Sequence, residues 1–569
     1  MNAEGLLAHY ARIVGAPDAI ARLRRFVLDL AVRGKLVAQN PSEEYASKLL
    51  ASIADARAAA GAGDSLHPVS PDGEPFDLPT GWAWSRVGAV CSKTGSGSTP
   101  RGGQSAYKKS GIPFLRSQNI YNDGLRLDDV AFIDEETHLR MSGTAVHPAD
   151  LLLNITGGSM GRCCRVPDQF EQANISQHVA IIRAAVVGMS DFLHCLVLSP
   201  YFQSFIFGEQ TGAGRGGLPK NRMDRIAIAL PPLAEQHRIV AKVDELMALC
   251  DQLEAARARR EATRDRLAAA SLARLNAPDP DTFPADARFA LDTLPALTTR
   301  PDQIKQLRQT ILNLAVRGKL VPQTPSDEPA SELLLAIARA KTEAKLNTGD
   351  ARIKAAPDPA PEDIRMALPQ GWSVQSFENL FLFIDYRGKT PTKTSAGIPL
   401  ITAKNIRMGF LSREPREFIS KKTFDGWMTR GLPKQGDIFF TTEAPLGNVC
   451  LNNIEEPFAM AQRAICLQPY GHIDTKFMMF SLMSDVMQSS VEEQATGMTA
   501  KGIKASKLKP LTLPVPPLAE QHRIVAKVDE LMALCDQLEA SLNTGEATRS
   551  RLLGALLHEA LAPAEHLAA

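Results

Sequence analysis

The chain has 569 residues, of which 44% are hydrophobic and 22% charged, and 64 basic against 63 acidic residues give a net charge of +1. This length exceeds what one hydrophobic core supports, so we expect two to four domains. No uncharged apolar run approaches the roughly 18 to 20 residues of a membrane span, and the start lacks a secretion-signal pattern, so we expect a cytoplasmic protein. The balanced charge gives no sign of DNA binding, which would need segregated basic residues or partner subunits.

The first predicted elements are two helices. Apolar spacing predicts a helix around residues 26–36, and an alanine-rich helix follows near residues 47–60. Both patterns return at residues 311–320 and 331–345. LRRFVLDLAVRGKLVAQNPSEE in the first copy corresponds to LRQTILNLAVRGKLVPQTPSDE in the second, with LAVRGKLV unchanged. The chain therefore contains an internal repeat.

Two related but divergent regions follow these helices, at residues 78–230 and 368–515. LPTGWAW in the first region corresponds to LPQGWSV in the second, GIPFLRSQNI corresponds to GIPLITAKNI, and ADLLLNITGGSMG corresponds to GDIFFTTEAPLGN. Glycine, proline, threonine and short β-type runs such as residues 181–187 and 437–442 predict mixed globular domains with prominent loops. Specificity is expected in those loops.

A long helix is predicted after each divergent region. PPLAEQHRIVAKVDELMALCDQLEA, at residues 231–255, recurs without one change at residues 516–540, an offset of 285. The prolines and the early glutamate favour a helix start, and the first helix should end at Asn276. Apolar residues step by four and three, which is the seam of a coiled coil. They are Ile239, Val243, Leu246, Cys250 and Leu253, with Ile524, Val528, Leu531, Cys535 and Leu538 in the second copy.

Identity at polar positions of this segment suggests a common external partner, because exposed positions of a purely structural helix are free to diverge. The candidate docking residues are Glu235, Gln236, His237 and Arg238, and in the second copy Glu520, Gln521, His522 and Arg523. Recent duplication or gene conversion is the alternative explanation.

The eight cysteines are scattered and include no C-x-x-C pair. Cys250 and Cys535 occupy equivalent places in the apolar stripes of the long helices. We therefore expect buried thiols in a reducing compartment, with no disulfide framework and no zinc site.

Catalytic motifs are not convincing in this chain. An amino methyltransferase needs an Asn/Asp-Pro-Pro-aromatic motif and a glycine-rich cofactor loop. Gly212, Gly214 and Gly217 match G-x-G-x-x-G, but without a βαβ unit around them they predict a plain loop. Residues 387–390 resemble the end of a P-loop, although Phe383 stands where its first glycine belongs. We expect neither catalytic residues nor metal ligands.

The order of variable region, long helix, variable region and repeated helix resembles the specificity subunit of type I restriction-modification systems. The PPLAEQHRIVAKVDELMALCDQLEA, LAVRGKLV, LPxGW and GIP...NI segments carry the resemblance. It implies an α+β fold in which two mixed α/β target recognition domains are separated by two long antiparallel coiled-coil helices, with an internal pseudo-twofold tandem repeat. Each domain would read one half of a bipartite, asymmetric DNA site.

The resemblance also implies partners. The chain would dock two modification (adenine methyltransferase) subunits and, through them, restriction subunits. It would be noncatalytic and bind no cofactor itself, whereas S-adenosylmethionine, ATP and Mg would be bound by the partner subunits.

These observations divide the chain into seven segments. We expect an N-terminal helical segment (1–77), target recognition domain 1 (78–230), a central long spacer helix (231–276), a linker (277–300), a helical segment repeating the first (301–367), target recognition domain 2 (368–515) and a C-terminal long spacer helix (516–569).

Polar loop residues are the candidate DNA contacts, because guanidinium, amide and ammonium groups bind phosphates or base edges. In the first domain they are Arg101, Lys108, Lys109, Arg116, Ser117, Gln118, Asn119, Thr156, Arg215 and Lys220. In the second they are Arg387, Lys389, Thr390, Lys393, Lys404, Asn405, Thr442, Glu443, Lys501 and Lys504. Any one of them could instead be a solvated surface residue.

Asn119 and Asn405 are the weaker base readers of this set, because a residue kept in both copies more often holds the framework. Positions that differ between the copies are better specificity candidates. These are residues 117–118 against 403–404, and residues 156–157 against 443–444.

Two other functions stay open at the level of sequence. A noncatalytic coiled-coil scaffold binding proteins or glycans predicts no salt-sensitive DNA binding even with partners added. A self-contained nuclease or methyltransferase predicts activity of the purified chain with metal or S-adenosylmethionine.

Overall fold

The computed structural model describes residues 15–561, apart from 60–67, 71–72, 209–216, 277–278, 280, 361–366, 387–389, 462 and 498–500. The chain divides into two compact units. The first contains residues 1–260 and 546–569, and the second contains residues 261–545. The described part is an α+β fold in which each unit contains one mixed domain.

In the first unit, helices and strands follow the chain from Ala19 onward. The helices are α1 (Ala19–Val32), α2 (Ala46–Ala59), α3 (Val87–Val90), α4 (Glu135–Arg140), α5 (Ser190–Leu198), α6 (Pro200–Phe207), α7 (Lys220–Arg225) and α8 (Leu233–Asn276), of which α8 belongs to the second unit from residue 261 onward. The strands are β1 (Ala83–Arg86), β2 (Cys91–Ser96), β3 (Ile112–Leu115), β4 (Ile120–Tyr121), β5 (Gly124–Leu125), β6 (Ala131–Ile133), β7 (Ala145–Val146), β8 (Leu151–Asn154), β9 (Cys163–Arg165), β10 (Ala173–Ile175), β11 (Val179–Ala184) and β12 (Ala227–Leu230).

The central sheet of the first domain has the strand order β2-β11-β8-β9 and is antiparallel. Leu151 and Leu153 pack on one face with Phe202 of α6, while Leu152 packs on the other face with Ile175 of the second sheet. That second sheet has the order β6-β3-β10-β7. Because β8 is buried on both faces, its sequence is a continuous apolar run instead of an alternating one.

The second unit repeats this plan. Its helices are α9 (Phe283–Leu297), α10 (Pro301–Val316), α11 (Ala330–Thr348), α12 (Phe377–Leu380), α13 (Lys421–Trp427), α14 (Thr475–Met483), α15 (Asp485–Glu493), α16 (Ala505–Leu508) and α17 (Leu518–Leu561), of which α17 belongs to the first unit from residue 546 onward. Its strands are β13 (Ser373–Ser376), β14 (Phe381–Asp385), β15 (Lys393–Thr394), β16 (Ile398–Ile401), β17 (Ile406–Arg407), β18 (Phe410–Leu411), β19 (Phe418–Ile419), β20 (Ile438–Thr442), β21 (Leu446–Leu451), β22 (Ala459–Met460), β23 (Ala464–Pro469) and β24 (Thr512–Val515). The sheet β14-β23-β20-β21 matches the central sheet of the first domain. In the other sheet, β15-β19-β16-β22, the strands β19-β16-β22 correspond to β6-β3-β10, but the fourth strand lies beside β19, whereas β7 lies beside β10.

Both long helices are confirmed. Helices α8 and α17 each have 44 residues, and α8 ends at the predicted Asn276. In the first unit, the seam residues Ile239 and Val243 pack against Val27 and Phe192, while Leu253 at the end of the seam is 39% exposed. The seam therefore begins as the attachment of the helix to its own domain, and antiparallel pairing of the two long helices stays a prediction.

The far ends of the long helices pack on the short helices. In the first unit, Leu553 and Leu556 of α17 contact Ala16 and Ala19. In the second unit, Leu272 and Leu275 of α8 lie in one cluster with Leu307 and Leu314 of α10.

Two sequence predictions of helix bounds were wrong. Helices α1 and α10 end at Val32 and Val316, well before residues 36 and 320. The reason is tertiary: Gly34 and Gly318 adopt φ of +64° and +63°, and a Cβ there would come within 2.3 Å of Pro79 or Pro369. The repeated LAVRGKLV segment is therefore helical only in its first three residues.

The predicted linker at residues 277–300 contains helix α9. Its Phe283, Ala287, Ala290 and Leu294 step by four and three, and they pack against the end of α8. This apolar stripe gives the segment a place in the core of the second unit. The seven-segment division otherwise stays a prediction.

All eight cysteines are buried, as predicted, and each is a free thiol. Among the described residues, no cluster of histidine, cysteine and acidic side chains could hold a metal ion. Within that same part of the chain, the helices are all too short or too polar to cross a membrane.

Candidate nucleic-acid interface

A buried carboxylate joins the repeated segments in each unit. Glu235 is 1% exposed and accepts hydrogen bonds from the Trp82 indole Nε1 and the Gln39 side chain, both at 3.0 Å. In the second unit, Glu520 accepts from Trp372 at 3.0 Å and Gln323 at 3.1 Å. We call each arrangement a tryptophan brace. It fixes the start of the long helix to the LPxGW turn and to the residues that follow LAVRGKLV.

The predicted exposure of four docking candidates is wrong. Glu235, Gln236, Glu520 and Gln521 are 0–1% exposed, and each glutamine donates to a proline carbonyl within its own segment. Their identity in the two copies therefore has an internal explanation, because the glutamates form the tryptophan brace and the glutamines bond to the prolines that precede the helix.

The other four docking candidates lie nearer the surface. Arg238 forms a bidentate ion pair with Glu43, with both hydrogen bonds at 2.9 Å, and Arg523 forms an ion pair with Asp327 at 2.6 Å. His237 and His522 are exposed at the start of their helices, which leaves them accessible to a partner.

In the first domain, a buried asparagine holds the base of the β4–β5 hairpin. The Asn119 Oδ1 accepts from the Arg116 backbone N–H at 3.0 Å, and its Nδ2 donates to the Arg126 carbonyl at 2.8 Å. In the second domain, Asn405 makes the same bonds to Thr402 and Ser412, beneath the β17–β18 hairpin. Each asparagine closes the root of its hairpin.

Three loops meet this hairpin in the first domain. The Asn154 side chain at the end of β8 donates to the Ser117 carbonyl at 2.9 Å, and Thr156 lies 2.7 Å from the His178 ring. Thr156 also pairs as an isolated bridge with Gly217, which precedes Lys220 in the chain. The structure thus brings the segments of Ser117, Gln118, Thr156 and Lys220 into one loop cluster.

The remaining candidates of the first domain are placed less directly. Lys108 pairs with Asp134 at 3.4 Å, and Arg116 donates to the Asp129 carbonyl at 3.1 Å. Arg101 and Lys109 are exposed on the loops before β3. Arg215 lies outside the described residues.

In the second domain, two groups of candidates come together. Lys393 and Lys404 both approach Glu417, at 2.8 and 3.9 Å. Glu443 pairs with Arg463 at 3.4 Å and bridges Gly502, which places it beside the segment of Lys501 and Lys504. Thr390 is exposed, and Arg387 and Lys389 lie outside the described residues.

Three of the predicted DNA contacts are buried side chains, so their prediction as DNA-binding residues was wrong. Asn119, Asn405 and Thr442 are only 2%, 1% and 3% exposed. The two asparagines hold hairpins, and the Thr442 hydroxyl donates to the Arg463 carbonyl at 3.2 Å. These side chains organise the loops from beneath, as the sequence comparison of the two copies suggested for the asparagines.

A buried aspartate precedes the central strand of each domain. Asp150 accepts from Arg183 through both carboxylate oxygens, at 2.7 and 2.8 Å. At the equivalent place, Asp437 accepts from the Lys434 backbone and the Gln468 side chain, and burial raises the pKa of this carboxyl. Both copies have thus kept the buried aspartate, but its side-chain partner is an arginine in the first domain and a glutamine in the second.

Sequence reasoning missed the exposed side chains at the hairpin tips. Tyr121, Met408 and Phe410 are 36%, 40% and 61% exposed, and Arg126 and Arg162 lie beside the Tyr121 ring. A signal was present in the first copy, since an Asn-Asp-Gly turn follows Tyr121. Nothing in the sequence around Arg162 indicated that its side chain would lie beside the Tyr121 ring.

A repeated frame with unlike exposed loops defines a recognition protein with two different binding surfaces. A family model described as the type I restriction modification DNA specificity domain matches residues 79–262 and 370–545. The chain belongs to this family. It is accordingly the DNA specificity subunit of a type I restriction-modification system, and not a catalytic subunit.

Curated relatives agree along nearly the full length. The EcoAI specificity subunit of Escherichia coli is 27% identical over 568 residues, covering 95% of this chain and 94% of the relative. The EcoEI specificity subunit of Escherichia coli is 26% identical over 588 residues, with the same coverage. A solved HsdS subunit from Thermoanaerobacter tengcongensis is 20% identical, covers 86% of this chain and 98% of its own length, and has a TM-score of 0.44.

Proposed function

We propose that this chain recognises a bipartite, asymmetric DNA site, with one half read by each recognition domain. The observation that carries the proposal is the contrast between the frame and its loops. Both domains keep the tryptophan brace and the buried hairpin asparagine, whereas the exposed residues above them differ in charge and size. Joining two readers sums their discrimination, because each base pair contributes about 1 to 3 kcal/mol.

The chain also docks two modification subunits and, through them, restriction subunits. The identical segments support this part of the proposal, because they present the same exposed face twice. That face consists of His237, Ala241, Glu245, Ala248 and Gln252 on α8 and His522, Ala526, Glu530, Ala533 and Gln537 on α17. It lies opposite the buried stripe of Ile239 and Val243, so it is accessible while the helix stays attached to its domain.

The catalytic steps are carried out by the partner subunits and not by this chain. S-adenosylmethionine would bind the modification subunits, and ATP and Mg would bind on the partner side of the complex, since this chain supplies recognition. A complex that methylates cellular DNA would act in the cytoplasm, which is where we expect this protein.

Sequencing of methylated adenines in cells with and without this gene tests the proposal. We expect one gapped, two-part motif to disappear when the gene is removed. Replacing residues 78–230 with the corresponding domain of a different specificity subunit should change one half of the motif and leave the other half and the gap unchanged. A change in both halves would contradict two independent readers.

A further inference from the structure

The β4–β5 and β17–β18 hairpins are equivalent in backbone and unlike in content. Tyr121 pairs with Gly124 in the first, and Arg407 pairs with Phe410 in the second. Each hairpin is held at its base by the buried asparagine of its own domain, whereas the side chains at its turn are exposed. Side chains at these tips are therefore held in place without being part of the core.

The first tip is cationic. The Arg162 guanidinium carbon lies 4.8 Å from the centroid of the Tyr121 ring, and that of Arg126 lies 5.0 Å away. Arg126 is also paired with Asp123 at 2.6 Å, whereas Arg162 is exposed at the end of the loop before β9. The ring restricts the Arg162 side chain, and a restricted guanidinium is a better base reader because less rotamer entropy is lost on binding.

The second tip is apolar. Phe410 and Met408 are 61% and 40% exposed, although the frame beneath them is the same. Asn448 occupies the loop position that corresponds to Arg162, and its side chain is used within the domain, donating to the Ile406 carbonyl at 2.9 Å. A phenylalanine left this exposed on a short, pinned hairpin is suited to contact an apolar surface of a ligand.

We propose that these hairpin tips determine specificity in the two half-sites by different chemistry. Arg162, held by Tyr121, reads a guanine through its N7 and O6 atoms, and Phe410 with Met408 contacts the methyl group of a thymine. The inference rests on the proposed function and adds to it the class of base that each domain reads. The first half-site then contains a guanine and the second a thymine at the position facing the hairpin.

Modified bases test this assignment in the complex of the chain with its modification subunits. The duplex carries the motif found by methylation sequencing, and binding is measured by fluorescence anisotropy. Replacing one guanine of the first half-site by 7-deazaguanine should weaken binding by about tenfold, within the range for one lost guanine contact. Arg162→Ala should bind the two duplexes equally. Tyr121→Ala should lose part of the discrimination.

The second half-site gives the matching experiment. Replacing one thymine by deoxyuridine removes only the methyl group. It should weaken DNA binding by the wild type several-fold and leave the affinity of the Phe410→Ala variant unchanged. Each variant serves as the control for the other, because Arg162→Ala should still distinguish thymine from deoxyuridine. All three side chains are exposed, so the substitutions leave the fold intact.

Equal penalties in the wild type and the variants would overturn the inference, as would a motif with no guanine in one half or no thymine in the other. Loss of the gapped motif as such is a separate outcome. If methylation sequencing finds no two-part motif, the proposed function fails. If the motif exists but the base modifications do not couple to the hairpin residues, only the inference fails.

Discussion

Glu235 and Glu520 show how one side chain links three repeated motifs. Each carboxylate accepts from a tryptophan and a glutamine that lie about 150 to 200 positions away in the sequence. Removing the carboxylate leaves a buried indole N–H without an acceptor, which costs about 1 to 3 kcal/mol. We predict that Glu235→Ala destabilises the first unit by that amount and that Glu520→Ala does the same to the second.

Hydrogen–deuterium exchange distinguishes the two units within one chain. Glu235→Ala should speed exchange in residues 27–39 and 82–86 and leave residues 311–323 unchanged, and Glu520→Ala should do the reverse. Glu245→Ala is the control, because that exposed carboxylate pairs with Lys242 on the surface and such pairs contribute little. Equal protection in the Glu235→Ala variant and the wild type would contradict the brace.

The sequence already contained the evidence for this burial. Glu235 lies four residues before Ile239 and Gln236 lies seven before Val243, so both fall on the predicted apolar stripe. This phase predicts burial of both side chains, so their identity needs no external partner. The contact of Tyr121 with Arg162 is different, because 41 residues separate them and a side-chain contact at that distance depends on the folded sheet.

At the scale of the helix, the identical exposed face is the element that a repeated partner would recognise. Ala248 and Ala533 lie in the middle of this face, where an arginine adds bulk and charge without touching the core. We predict that Ala248→Arg releases one modification subunit, that Ala533→Arg releases the other, and that the double variant binds neither. Native mass spectrometry of the purified complex measures these stoichiometries.

Ala269→Arg provides the matched control on the same helix. Ala269 is exposed on α8 but lies outside the identical segment, so the substitution should leave two modification subunits bound. Loss of partners from this variant as well, or two partners retained by the double variant, would contradict docking on the repeated face.

The repeat was the strongest structural signal in the sequence. The exact recurrence predicted both long helices, and the apolar periodicity located α2 and α11 to within a few residues. Helix ends fixed by tertiary contact were not predictable, because Gly34 leaves the helix where it meets Pro79. Helix α9 was missed because the prolines and aspartates around it dominate the local pattern, although its apolar residues follow helical spacing.

For the whole molecule, charge decides how much of the DNA affinity this chain provides. The net charge is +1, and several candidate cations are neutralised within the chain, including Lys108 by Asp134 and Lys393 by Glu417. Affinity falls with salt in proportion to the phosphates contacted, with a log–log slope of about −0.9 per phosphate. Cations that are paired within the chain are less available to phosphates, so we expect a shallow slope for the isolated chain and a steeper one once partners add phosphate contacts.

We predict that the complex with modification subunits shows a slope at least about twice that of the chain alone, reflecting phosphates contacted by the partners. Fluorescence anisotropy between 50 and 200 mM salt, on a duplex carrying the methylated motif, measures both slopes. A duplex of equal length without the motif separates this electrostatic part from specific recognition, because it should change affinity but keep the ratio of slopes. Equal slopes for the chain and the complex would show that this subunit makes the phosphate contacts itself, through cations now paired with acids in the free chain.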